Sequence, residues 1–335
     1  MSGMRNVKIA VPVALAIVVA GIVGLKSHNA KRGEEVIRNW LFDHDMQDQV
    51  SWRSISASPL GSSYTLYDVE LADAGVTIGE LEVSNLYDQR DRSSADIRFS
   101  EVVSRVDEER QTGFIYRSGI AELLSGSGLH ELKPFDGRLH WDYQRESQSA
   151  VADLEADLPD MLSVKMSLGL NQAEDFVDAF SDAPDKGSFL SSPSGVMFAL
   201  LTLLSDKGAS RVELSHLNLE LKDSGYFKRS AMLTKRYNFV PDPQSSDWEA
   251  DREAAFKKSM EEQVRTCQKE FRDAGSQARE GCDAYIGLLT AQNKGLSVSL
   301  EPKERVRLTE VIQGLDHNKR LGRLAERTNF KIDTL

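Results

Sequence analysis

Hydrophobic and polar positions change period several times along this chain, and each change predicts an element. Ile9 to Leu25, IAVPVALAIVVAGIVGL, passes without a charge. At about 1.5 Å per residue, a helix of that length spans roughly 26 Å, the short end of what a bilayer core requires. Pro12 falls in the first turn, where its missing donor would be unpaired anyway. From His28 to Gln49, Val36 and Trp40 stand four apart, as do Ile37 and Leu41, with charges elsewhere: a helical stripe. From Val50 the period drops to two. Ser51 to Ser56, Thr65 to Leu71 and Val76 to Leu86 predict strands, separated by turns at Ser58-Pro59-Leu60-Gly61 and Ala72-Asp73-Ala74-Gly75. Asp88 to Ser94 is a polar loop, Ala95 to Val106 is mixed with a strand-like alternation, and Ile115 to Leu124 predicts a short helix stopped by Ser125-Gly126-Ser127-Gly128.

A second β run begins at Gly137. Leu139 to Tyr143 and Val151 to Leu158 predict paired strands. Leu162, Val164, Met166 and Leu168 alternate with Ser163, Lys165 and Ser167, so one face of this strand is apolar and the other wet, as in an antiparallel sheet covered on one side. Helices are predicted near Gln172 to Phe180 and Pro193 to Leu204, the second apolar enough to be the cover. Arg211 to Leu221 and Tyr226 to Arg236 predict a hairpin through Asp223-Ser224-Gly225. Asp247 to Leu289 is helical and heavily charged, with a break at Ala274-Gly275-Ser276. Leu296, Val298 and Leu300 alternate as a strand up to Glu301-Pro302; a short helix near Thr309 to Leu315 and a strand near Asn329 to Ile332 follow. The connections resemble hairpins rather than crossovers, so the fold class is α+β with an antiparallel sheet.

The predicted organisation is a tail at 1–8, a transmembrane anchor at 9–25, a juxtamembrane helix at 26–49, and a β-rich domain at 50–240. A charged helical hairpin follows at 241–293, and C-terminal strands and a helix at 294–335 complete the domain. Lys and Arg flank the anchor on both sides, so charge alone orients it weakly; the simplest topology leaves the short tail in the cytoplasm and exports the rest. A cleaved signal peptide ending at Val18-Val19-Ala20 is the rival reading. Ala16, Ala20 and Gly24 recur every four residues, a spacing that lets two membrane helices approach closely.

Net charge over the 335 residues is −11, which argues against nucleic acid as a partner. Cys267 and Cys282 are the two cysteines. The break at Ala274-Gly275-Ser276 lies nearly midway between them. A chain reversal there brings the two level in an antiparallel helix pair, within reach of a disulfide in an oxidising compartment; one continuous helix would forbid it.

No phosphate-binding loop, nucleophile elbow or zinc-protease motif occurs. Asp43-His44-Asp45 with Asp48 is the densest ligand-like cluster, but it lacks the glycine and terminal glutamate of a calcium loop. His140 and His216 lie in strand patterns and read as half-buried, hydrogen-bonded side chains; Phe135, Trp141 and Tyr143 read as core. No catalytic residue, metal ligand or cofactor is expected.

Val50 to Leu71, VSWRSISASPLGSSYTLYDVEL, followed by Ile78-Gly79-Glu80-Leu81-Glu82-Val83, resembles the start of AsmA-like and YdgA-like bacterial envelope proteins; Leu214 to Arg229 and Leu296 to Pro302 are similar to YdgA-like proteins as well. The resemblance rests on strand patterns, and the charged helical insertion departs from it. It implies an inner-membrane helix, a long periplasmic β-rich domain and lipid handling, with no catalytic residue carried over. The expectation is therefore a non-enzymatic envelope protein holding or passing lipid along the face of Leu162, Val164, Met166 and Leu168. A scaffold whose acidic helices bind an envelope protein is the alternative.

Overall fold

The computed structural model describes residues 50–58, 63–71, 76–89, 91–104, 120–174, 211–240, 246–272, 275–315 and 318–335, with a few positions between 34 and 48, and 177 and 244. Among the described residues eleven strands form one sheet: β1 (Val50–Ser51), β2 (Ser54–Ala57), β3 (Ser63–Leu71), β4 (Val76–Gln89), β5 (Arg92–Ser104), β6 (Phe135–Gln144), β7 (Ser149–Leu158), β8 (Leu162–Asn171), β9 (Glu213–Asp223), β10 (Gly295–Leu300) and β11 (Lys331–Thr334). From β3 onward each strand pairs antiparallel with the next in sequence, and β1 and β2 both pair with β3. The fold is thus α+β on an antiparallel meander.

Helices occupy the connections. α1 (Ile120–Ser127) precedes β6. α2 (Tyr226–Asn238), α3 (Trp248–Glu270) and α4 (Gly275–Leu289) separate β9 from β10. α5 (Leu308–Leu315) and α6 (Asn318–Arg327) separate β10 from β11. Leu124 of α1, Phe227 of α2 and Leu288 of α4 join Leu66, Ile78, Leu81, Ile97 and Phe99 of the sheet in one buried core. A second core, toward the other end of the strands, gathers Tyr143, Leu170 and Leu214 with Val311 of α5 and Leu324 of α6.

In the first strands the apolar spacing is three where a regular strand has two: Leu66 and Val69, Ile78 and Leu81, Phe99 and Val102 are all buried. One line of irregularity explains all three. Asp68 in β3 and Glu101 in β5 both fall opposite Gly79 of β4, at a position where neither ladder forms a pair, and both have left-handed backbone (φ 50° and 54°). The register is the same on both sides of this position, so each strand contributes one residue to the irregularity, and that residue shifts its strand's side-chain alternation by one. Here the reset is aligned across three neighbours, so the apolar set returns to the same face.

One predicted strand is a helix. Tyr226 to Arg236, expected as the second arm of a hairpin, is α2. The Asp223 carboxylate accepts from the N–H groups of Gly225 and Phe227, both at 3.0 Å, and turns the chain out of β9. Phe227 and Ala231, four apart, are the buried positions, which is helical spacing. β9 pairs instead with β8 and β10.

The helical hairpin is present as expected. α3 ends where the Phe271 N–H donates to the Cys267 carbonyl at 2.9 Å. Cys267 and Cys282 form a disulfide, with Cα atoms 5.9 Å apart. Gln268 donates to Asp283 at 3.0 Å one residue along on each helix, which fixes the same register a second time.

Positions 34, 35, 37, 38 and 42 are helical, and Arg38 lies over the Trp52 ring at 4.7 Å. The anchor at 9–25 with Ala16, Ala20 and Gly24, the 43–46 part of the acidic cluster and the helix expected at Pro193 to Leu204 lie outside the described residues. No helix of the described residues is long and apolar enough to cross a membrane.

Candidate functional site

The four residues singled out on β8 share the apolar face, and their cross-strand partners say what each does there. Leu162 pairs with Leu158 and Asp223, and Val164 with Ala156 and Leu221; both side chains belong to the first core. Leu168 pairs with Ala152 and Leu217 and packs against the second core. Met166 lies between the two cores and belongs to neither.

Met166 is one link in a row that crosses nine strands: Tyr64, Val83, Ile97, Leu139, Leu154, Met166, Leu219, Val298 and Ile332 stand in register from β3 to β11. Tyr64, Val83 and Ile97 are buried in the first core. Further along, Leu154 is buried, while Leu139, Met166, Leu219 and Val298 are half-buried. Strands lie about 4.8 Å apart, so Leu139 to Val298 covers roughly 19 Å across the strands. This is an unbroken apolar strip with no polar side chain in it. Leu217, Leu219 and Leu221 of β9 carried a signal for it, a run of leucines at spacing two, but only the register shows that they continue the β8 face.

The opposite face is polar, and a cavity of about 400 Å³ opens on it, lined by Asp96, Arg138, His140, Asp153, Lys165 and Ser167 among others. Its charges pair across the strands. Arg138 reaches Asp96 at 3.3 Å and Lys165 reaches Glu155 at 3.2 Å. His140 bonds Asp96 through Nδ1 at 2.8 Å, and Asn85 donates to the same carboxylate. Burial presses the Asp96 carboxyl upward, but the hydrogen bonds from Asn85, His140 and Arg138 outweigh it and hold the group below its ordinary value. Such cross-strand pairs each contribute about 0.2–1 kcal/mol and describe a solvated sheet face whose cations already have partners.

His216 is hydrogen-bonded to the Ser167 hydroxyl through Nε2 at 3.0 Å. The imidazole lies against Gly169, where any β-carbon would collide with the ring. The side-chain partner of His216 is thus a hydroxyl one strand away, an interaction across the β8–β9 ladder. Phe135 is in the first core, Tyr143 in the second, and Trp141 packs against the second. Among the described residues no group of three or more His, Cys, Asp or Glu side chains is placed to hold a metal ion.

No protein-family model matches the chain, and no curated protein sequence matches it.

Proposed function

We propose that this is a non-enzymatic, single-pass inner-membrane protein of the bacterial envelope whose periplasmic domain holds or passes lipid. The observation that carries the reading is the strip through Leu139, Leu154, Met166, Leu219 and Val298, apolar over roughly 19 Å and shared out to neither core along much of its length. One leaflet of a bilayer core is about 15 Å thick, so the strip is long enough to seat one acyl chain. The charge-free Ile9 to Leu25 would hold the domain at its lipid source. The Cys267–Cys282 bond fits an exported domain, because disulfides persist in oxidising compartments.

The test is lipid analysis of the protein released from the membrane without detergent by proteolysis in the 26–49 region. Phospholipid is expected in wild type and lost in Met166→Lys and Leu219→Lys variants that still fold. A folded wild-type domain that carries no lipid would move the reading to an envelope scaffold, with the charged α3–α4 hairpin as the contact surface.

A further inference from the structure

We propose that the cavity on the polar face of the sheet holds a small organic amine, with the Asp153 carboxylate as counter-ion to its primary ammonium. Asp96, His140, Asp153, Ser167 and Asn218 stand in register from β5 to β9, one residue away on each strand from the apolar strip and on the opposite face. All five line the cavity of about 400 Å³. Small-molecule sites run from roughly 300 to 1,000 Å³, so the space suits a ligand of modest size.

The residues on either side of Asp153 in this row are held by other groups. His140 bonds Asp96 through Nδ1 at 2.8 Å, and the Ser167 hydroxyl bonds His216 at 3.0 Å. The cations diagonal to Asp153 are engaged as well: Arg138 with Asp96 at 3.3 Å and Lys165 with Glu155 at 3.2 Å. Asp153 itself has no hydrogen-bond or ion-pair partner among the described residues. It is a half-buried carboxylate in the middle of a cavity whose other charges are paired.

The hydrogen-bonding groups select the ligand. An ionised carboxylate only accepts, so the proton between Asp96 and His140 sits on Nδ1, and Nε2 of the neutral ring is left as an acceptor. The Asp153 oxygens, His140 Nε2 and the Asn218 carbonyl thus offer acceptors along one row. An ammonium brings three donors and no acceptor, the complement of that row, whereas an anion would meet the Asp153 charge. Among the described residues no three His, Cys, Asp or Glu side chains converge as metal ligands do, so the cation is an organic one. A lipid seated on the apolar strip lies across the sheet from Asp153, so the amine is a free small molecule and not the headgroup of that lipid.

The test is calorimetric titration of the full chain, in a non-ionic detergent, with ethanolamine. Saturable binding at one site is expected, and none with tetramethylammonium, which carries the same charge but no N–H donor. Asp153→Asn is expected to weaken ethanolamine binding by about tenfold or more, the loss of one charge-assisted hydrogen bond. Asn218→Arg, at an exposed position, should do the same by bringing a cation into the cavity, and it carries the test if Asp153→Asn fails to fold. Asp157→Asn, exposed on the same face of β7 but outside the cavity, should leave binding unchanged. Unchanged melting of the variants would show that the fold is kept. The proposal is overturned by no saturable binding of ethanolamine, by equal binding of tetramethylammonium, or by equal loss in Asp157→Asn. Binding that both Asp153→Asn and Asn218→Arg leave intact would overturn it too, as would binding seen only with phosphatidylethanolamine in mixed micelles.

Discussion

The ring of Phe99 on β5 lies across Gly137 on β6, in the space that a side chain at Gly137 would need. The two residues are register partners in the row Leu66, Leu81, Phe99, Gly137, Ala156, Val164. A bulky ring is accommodated because its neighbours to one side are small. Phe99 in turn meets Phe135 edge-on at 6.5 Å, so the pair anchors the first core to the middle of the sheet.

Gly137→Ala is therefore expected to destabilise the domain by about 1–3 kcal/mol, the usual cost of overpacking. The added carbon would meet the Phe99 ring and, at 2.6 Å, the backbone carbonyl of Glu155, which has no room to move within its ladder. Urea unfolding measures the change. A stability equal to wild type would show that Phe99 repacks freely.

The two faces of β8 separate cleanly by substitution. Val164→Asp places a carboxylate against the first core and is expected to cost several times more than Lys165→Asp. The latter exchanges an exposed residue whose pairing with Glu155 is a surface ion pair of about 0–1 kcal/mol. Equal tolerance in thermal melts would contradict the register.

Breaking the Cys267–Cys282 bond tests the helical hairpin. The sequence separation of 15 corresponds to about 3 kcal/mol of loop-closure entropy. Paired Cys→Ser substitution is expected to loosen α3 most, because Phe256 and Cys267 are its buried residues. Protease cleavage within α3 should rise in the variant, and alkylation of the unreduced wild-type protein should find no free thiol. Two free thiols in that protein would contradict the structure.

Asp96 ties stability to acid pH. Its folded-state pKa lies below the value of about 3.9 that it has in an unfolded chain. The ionised form therefore stabilises the fold fully above the unfolded pKa, and that contribution is lost as pH falls through the folded one. The stability advantage of wild type over Asp96→Asn should be level from neutral pH down to about pH 5 and shrink below about pH 4. An advantage independent of pH would show that the carboxylate is not held by Asn85, His140 and Arg138.

Most strands of the sheet were legible from alternation, and β8 most cleanly, because it faces a core on one side and water on the other; in β3 and β4 the strands were legible but their buried faces were not, because the alternation breaks at Asp68 and Gly79. The β9–β10 region was harder. Tyr226 to Arg236 buries only Phe227 and Ala231, and its helix is set by that pair and by Asp223 acting from the preceding strand. The aligned irregularity at Asp68, Gly79 and Glu101 depends on three strands meeting, which no single stretch encodes. The strip through Met166 has the same character. Each strand showed a face, but Leu139, Leu154, Leu219 and Val298 become one surface only through register.

Lipid contact along that strip is tested most directly by photocrosslinking in intact membranes. A benzophenone side chain would be placed at Met166 or Leu219, with Lys165 as the wet-face control. Irradiation is expected to attach a phospholipid to positions 166 and 219 and none to 165. Adducts at 166 and 219 formed only with peptides of this same chain would contradict the account.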